Sequence, residues 1–118
     1  MFNVYNEDIE SRITEEEYAA VYNEIDECVR LAIEDRLDTS DRTRRYKVDY
    51  DKGEGYVDIM DIESVVNADG YGLVVSADDI RFEFDENGYM FYGIVSLWTP
   101  DGDIEVVEYD IESGWNRF

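Results

Sequence analysis

The spacing of the hydrophobic residues changes once along the chain, and this change constrains the fold more than any other feature. From Tyr18 to Arg36, one set of mainly apolar residues recurs at steps of three and four, which is typical of one helix face. From Tyr46 onwards the step is two, because Tyr46, Val48 and Tyr50 alternate with charged residues. The sequence therefore predicts one helix followed by strands.

The predicted helix is amphipathic and begins at a capping box. Thr14-Glu15-Glu16-Glu17 supplies an N-cap hydroxyl and carboxylates for the first turn, where both stabilise a helix. We expect the helix to span residues 15–37, roughly, with Arg30 spaced to pair with Asp26 and Glu34 on the outer side. Its predicted buried face comprises Tyr18, Val21, Tyr22, Ile25, Cys28, Val29, Ala32 and Arg36.

Turn signals divide the rest of the chain into strands. The segments 51–55, 85–88 and 99–102 are typical of turns, and Asn87-Gly88 is a strong hairpin signal. The stretch 89–98, YMFYGIVSLW, would have apolar side chains on both faces of a strand. This predicts a central strand covered on both sides. We expect most tyrosines to be buried, with Tyr71 and Tyr89, near turns, as exceptions.

These elements predict an α+β fold in a single domain, residues 1–118. One N-terminal amphipathic helix packs on a five- to six-stranded antiparallel β-sheet with meander connections. The connector spans 38–45 and the sheet spans 46–112. Within the connector and the first strand, Arg42, Arg44, Arg45 and Lys47 form a basic cluster, which we expect to contact the chain's own carboxylates.

The charge balance indicates cationic partners. The chain carries 31 acidic and 10 basic residues, a net charge of −21, yet 14% of its residues are aromatic, which is unlike a disordered acidic tail. Such a surface repels nucleic acid and anionic membranes. No apolar run approaches the ~20 residues of a membrane span, and residues 1–10 lack the features of a signal peptide. We therefore expect a cytoplasmic protein.

The residue types disfavour an enzyme, a metal site or a cofactor. The chain has no His and a single cysteine, Cys28, which excludes common zinc sites and Ser-His or Cys-His nucleophiles. Two acidic turns, 67–70 and 85–88, resemble the middle of an EF-hand loop. Aligned on their glycines, however, they have Ser76 or Ile94 where the loop requires its bidentate Glu.

A shift in the alternation sorts the carboxylates of the sheet. In 101–112 the apolar residues occupy even positions up to Val106 and odd positions from Val107, and the acids shift with them. One β-bulge at Val106–Val107 would bring all six acids to one face. A bulge at Ile59–Met60 would do the same for Asp58, Asp61 and Glu63.

We therefore predict an acidic partner-binding face on the strands. Acids two residues apart on a strand face are separated by about 6.6 Å, twice the ~3.3 Å rise. The predicted site residues are Asp58, Asp61, Glu63, Glu83, Asp85, Glu86, Asp101, Asp103, Glu105, Glu108, Asp110 and Glu112.

The composition and the acidic strands 57–63, 80–86 and 101–112 resemble the DNA-mimic inhibitors of phages and mobile elements, including anti-CRISPR and anti-restriction proteins. The resemblance is one of class, without a shared motif. It implies a non-enzymatic inhibitor that occupies the basic nucleic-acid cleft of a Cas nuclease, a restriction enzyme or another such protein in the host cytoplasm.

Two alternatives remain open at the level of sequence. An immunity protein that neutralises a cationic nuclease toxin would need the same charge. Halophilic adaptation would make the whole surface acidic without a binding role. The arginines on the predicted helix argue against the halophilic alternative, because a halophilic surface should be acidic everywhere.

Overall fold

One helix and seven strands make up the described part of the chain. The computed structural model describes residues 3–4, 15–40, 42–66, 73–98 and 105–118. The elements are β1 (Asn3–Val4), α1 (Glu15–Ile33), β2 (Arg44–Asp49), β3 (Glu54–Val66), β4 (Leu73–Phe84), β5 (Gly88–Trp98), β6 (Glu105–Glu112) and β7 (Asn116–Arg117). The helix starts where the capping box predicts, although Thr14 itself lies outside the described residues.

The strands form one antiparallel sheet with the order β1-β6-β5-β4-β3-β2, and β7 pairs with β5 beside β6. Strands β2 to β6 are neighbours in sequence as well as in space, so the predicted meander and the α+β class are confirmed. The two-residue strands β1 and β7 were not predicted. Because β1 precedes α1, the helix is not strictly N-terminal.

The core lies between α1 and one face of the sheet. The buried helix residues are Val21, Ile25, Cys28, Val29, Ala32 and Ile33. Two helix tyrosines complete the contact: Tyr18 packs on Tyr109 of β6 and Tyr22 on Phe91 of β5, each with ring centroids 5.4 Å apart. The predicted buried face is thus confirmed apart from Arg36, and burial raises the pKa of the Cys28 thiol.

The solvent side of α1 is acidic as well. Between residues 15 and 33 the sequence has six acids and one base, Arg30, which pairs with Asp26 at 3.3 Å. Glu34 pairs instead with Arg36, beyond the helix. Negative charge therefore lies on both sides of the molecule, and the helix arginines do not argue against a generally acidic surface.

No helix in the described ranges combines the length and apolar character that a bilayer span requires.

The helix ends at Ile33 rather than near residue 37, because the chain reverses in a Schellman motif. The amide of Asp35 donates to the carbonyl of Ala32 (3.0 Å), and that of Arg36 donates to Leu31 (2.8 Å). Asp35 has φ = 57°, a conformation that usually selects glycine. The Tyr46 hydroxyl donates to the Asp35 carboxylate, so the turn is tied to β2. Because the sequence has no glycine at this position to indicate a helix end, the hydrophobic pattern predicted a helix that is too long.

Tyr89 is buried, contrary to the prediction that it lies outside the core. It is the second residue of β5, and its hydroxyl donates to the carboxylate of Asp26 in α1. Asp26 also pairs with Arg30, so one carboxylate joins the helix to the central strand. Burial, followed by the hydrogen bond to Asp26, raises the pKa of Tyr89 well above its ordinary value.

This contact predicts a loss of stability at alkaline pH. Because the pKa of Tyr89 is raised in the folded state, its contribution is fully present below pH ~10 and is lost as pH rises further. Y89F should lower the free energy of unfolding at pH 8 by about 1–3 kcal/mol, the cost of a hydrogen bond to a charged group. Its stability should also fall less steeply above pH 10.

Urea unfolding between pH 8 and 11 measures both effects. The matched control is Y92F, which alters a ring that is 43% exposed. Parallel loss of stability in wild type and Y89F above pH 10 would contradict the assignment.

Candidate protein-binding face

The sheet has an outer face, opposite α1, that no described element covers. The alternation of burial along β5 and β6 assigns side chains to the two faces: Phe91, Val95, Leu97, Tyr109 and Ile111 point toward the helix. The residues between them therefore lie on the outer face. Antiparallel pairing brings partners in adjacent strands to the same face, so the register gives the layout of this surface.

Three acids form a row along β6 on the outer face. Glu108, Asp110 and Glu112 lie opposite Ser96, Ile94 and Tyr92 of β5. We call these three acids the β6 carboxylate row. Glu112 is exposed, whereas Glu108 and Asp110 are half-buried. Successive members are separated by about 6.6 Å, since the strand rises ~3.3 Å per residue.

The β-bulge predicted at Val106–Val107 is present in the register. Leu97 pairs with Val107, but the next residue, Trp98, pairs with Glu105, so β6 has one extra residue at this point. Glu105 and Glu108 are consequently the partners of Trp98 and Ser96, which are two residues apart on β5. The side chains of 105–107 lie outside the described part of the structure, as do Asp101 and Asp103 entirely.

A bulge is also present near the second predicted position, one residue beyond the predicted Ile59–Met60, and β4 has a further bulge that was not predicted. Ile59 pairs with Ala77 and Ile62 with Val75, which leaves one extra residue on β3 at Met60–Asp61. Between Val57 and Ile59 the extra residue belongs to β4 instead, at Asp78–Asp79, where Asp79 has φ = 58°. The sequence carries a signal for this bulge, since the apolar positions change from odd at Val75 and Ala77 to even at Ile80 and Phe82.

Asp58 stabilises this β4 bulge. Its carboxylate accepts a hydrogen bond from the amide of Asp79 (2.7 Å) and lies 3.6 Å from the guanidinium of Arg45. The residue is only 8% exposed, so little of it is left for a partner. A hydrogen bond to Asp58 is the main cause that raises the pKa of Asp78, because two adjacent carboxyl groups favour one shared proton.

An apolar strip runs along β5 beside the β6 carboxylate row. Tyr92 and Ile94 are 43% and 39% exposed, and Trp98 is half-buried with its indole N–H donating to the Ser76 hydroxyl (2.9 Å). We call these three residues the apolar strip. The prediction that 89–98 is covered on both sides is therefore wrong for the outer face of the described structure. The apolar pattern of 89–98 does correspond to a central strand, but it does not distinguish a covered face from an exposed one.

An open groove of about 550 Å³ extends from the apolar strip toward β2. Met60 on β3 is 57% exposed and adds an apolar side chain to those of the apolar strip on β5. The residues that line the groove are Arg45, Ile59, Met60, Ser76, Asp78, Ile94, Ser96 and Trp98. The groove thus has an apolar floor with polar and charged side chains around it.

Basic residues lie on the opposite part of the outer face, so this face is not uniformly acidic. Arg45 and Lys47 on β2 pair in register with Asp58 and Tyr56. Arg81 on β4 forms an ion pair with Asp79 (3.0 Å) and lies 5.8 Å from the centre of the Tyr56 ring. The Arg81–Asp79 pair is exposed on both sides and contributes little stability. The outer face therefore changes from acidic at β6 to mixed charge toward β2.

Part of the predicted basic cluster contacts the chain itself. Arg44 donates to the carbonyl of Asp61 (2.7 Å) and lies 4.0 Å from the carboxylate of Glu24 on α1. Arg45 contacts Asp58, as described above. Arg44 thereby links β2, β3 and the helix. The expectation that these arginines contact their own carboxylates is confirmed for both.

The remaining predicted site residues do not form one continuous surface with the β6 row. Glu83 is exposed opposite Glu54, near the other end of the sheet. The Asp85 carboxylate accepts hydrogen bonds from the amides of Asn87 (2.7 Å) and Gly88 (3.1 Å), so it stabilises the hairpin turn. Asp61 and Glu86 are exposed; Glu63 lies in β3, but its side chain is outside the described part.

Comparison with known proteins gives no further assignment. No protein-family model matches the chain, and no curated protein sequence or solved structure does.

The role of Asp58 predicts a specific loss of stability. D58A removes the acceptor for the Asp79 amide and leaves Arg45 without this carboxylate, so unfolding free energy should fall by about 1–3 kcal/mol. The matched control is D61A, which removes an exposed carboxylate from the same strand and should change stability by less than about 0.5 kcal/mol. Urea unfolding measures both. Equal effects of the two variants would show that Asp58 does not stabilise the bulge.

Proposed function

We propose that this protein is a non-enzymatic inhibitor that occupies the basic nucleic-acid-binding cleft of a nuclease or similar protein, with carboxylates in place of phosphates. One observation carries the proposal: a net charge of −21 is distributed along a molecule 43 Å long. This amounts to one net charge per about 2 Å, close to the ~1.7 Å of duplex DNA. Averaged over its length, the net charge of the protein thus approximates the linear charge density of a duplex.

The β6 carboxylate row alone does not reach this density. Its charges are ~6.6 Å apart, about a quarter of the linear density of a duplex. The rest of the charge comes from α1 and from the other strands. We therefore assign two roles to the acids: all of them attract a basic cleft, and the β6 row lies in the contact.

Inhibition of this kind requires no chemical step. The summed negative potential accelerates encounter with a basic protein, and this acceleration weakens as salt screens the charges. Lysine and arginine side chains of the cleft then pair with carboxylates instead of phosphates, and the nucleic acid is excluded. Such targets act in the cytoplasm, which is where we place this protein; for a phage-encoded chain it is the cytoplasm of the host.

The apolar strip favours a second candidate function, that of an immunity protein for a cationic nuclease toxin. A phosphate backbone offers no counterpart to Tyr92, Ile94 and Trp98, whereas tight protein interfaces are centred on such residues. An immunity protein would bind its cognate toxin and not the basic clefts of unrelated proteins. Displacement of DNA from several unrelated proteins favours the decoy, and inhibition of one toxin only favours immunity.

Charge reversal at matched positions tests the proposal. The triple variant E108K/D110K/E112K alters the β6 row, and E16K/E27K/E34K alters three exposed acids on the helix side by the same charge. Both should slow association similarly, because both weaken steering. Only the β6 variant should also accelerate dissociation, by about tenfold or more.

The measurement is displacement of labelled duplex DNA from a Cas nuclease, a restriction enzyme and a nuclease toxin, with rates followed at several salt concentrations. Circular dichroism checks that both variants are folded. Equal dissociation rates for the two triple variants would exclude the β6 row from the contact. No displacement from any of the three proteins would reject the inhibitor function.

A further inference from the structure

The outer face combines two features that a purely electrostatic decoy does not need: an exposed apolar strip and a row of acids directly beside it. Tyr92 and Ile94 are opposite Glu112 and Asp110 in the register, so the apolar strip and the acidic row lie side by side on neighbouring strands. Exposed apolar surface next to organised charge is typical of a protein-binding site. The partner must therefore supply apolar as well as basic side chains.

The dimensions of this surface fit a helix. The apolar strip lies on β5, between the β6 row and the charged residues of β4, Asp78 and Arg81. Those flanking strands are two spacings apart, about 9.6 Å, and an α-helix with side chains is about 10–12 Å wide. From Tyr92 to Trp98 the strip is about 20 Å long, which corresponds to roughly 13 helical residues.

The charges select the chemistry of that helix. On one side the β6 row is acidic, and on the other Asp78 and Asp79 accompany Arg81. A second copy of this chain is disfavoured as the occupant, since it would bring together two molecules of net charge −21. A helix with an apolar stripe and Lys or Arg along the flank facing β6 satisfies both features of the surface.

We propose that the outer face binds an amphipathic, basic helix of the target protein, with the apolar strip under its apolar stripe and the β6 carboxylate row along its basic flank. The inference rests on the proposed function and specifies the partner: the contact includes a helix of the target and not only its phosphate-binding residues. Two contributions follow. The charges bring the helix to the face, and apolar burial holds it when salt screens the charges.

Synthetic peptides test this inference without knowledge of the target. The probe is a labelled Leu/Lys peptide of about 13 residues with helical periodicity, and its control is a Ser/Lys peptide of equal charge. Fluorescence anisotropy measures binding at low salt and at about 1 M salt, where the Debye length is ~3 Å. Both peptides should bind at low salt, and only the Leu/Lys peptide at high salt.

Three substitutions locate the binding. I94S should weaken high-salt binding of the Leu/Lys peptide about tenfold, because Ile94 is in the middle of the strip. M60S, at a more exposed position in the same groove, should weaken it less and gives a second test should I94S fail to fold. The control Y50S removes an exposed ring at the β2–β3 turn, outside the groove, and should leave binding unchanged.

Several outcomes would overturn the inference. These are equal high-salt binding of the two peptides, equal affinity of I94S and Y50S, and amide chemical-shift changes on α1 instead of β5 and β6. Self-association that depends on Ile94, seen by sedimentation equilibrium, would make a second copy the occupant.

The peptide test and the DNA-displacement test fail separately. Peptide binding at the strip without DNA displacement would retain the helix site and reject the inhibitor function. DNA displacement by the wild-type protein, without high-salt binding of the Leu/Lys peptide to that protein, would retain the decoy and reject the helix site.

Discussion

The structure depends on a sheet that, within the described ranges, is covered by a single helix. In the described structure α1 buries one face, through Val21, Ile25 and Val29, and the other face stays open. The central strand β5 is apolar in both directions, so this arrangement exposes Tyr92 and Ile94. Layered α+β proteins usually bury such a face against another element. The open face is therefore the surface on which we propose that a partner binds, in the place of a second layer.

The fold could be predicted largely because local patterns determined it. The three- and four-residue spacing of Tyr18 to Ala32 and the Asn87-Gly88 turn both correspond to elements of the structure. The helix end could not be predicted, since it depends on Asp35 in a left-handed conformation that Tyr46 stabilises from β2. Contacts between distant residues leave no periodic signal in one sequence.

The candidate site could be predicted only in part. The shift in alternation located the β6 bulge, since Val106-Val107 is the point at which apolar positions change parity. It did not distinguish an exposed acid from a buried one, so Asp58 was grouped with Glu108 although it is bonded to the Asp79 amide. Nor did it show that Arg45, Lys47 and Arg81 share the outer face. Burial and charge pairing across a sheet depend on the register of several strands at once.

The bulge in β6 also affects how this surface can change in evolution. Side chains on a strand alternate with a period of two, so the extra residue at Val106 sets which side chains face outward on one side of it. The loss or gain of one codon there would exchange acidic and apolar side chains between the two faces. A single insertion or deletion could thus alter the binding chemistry of the whole strand end in one step, whereas point substitutions would have to change each position separately.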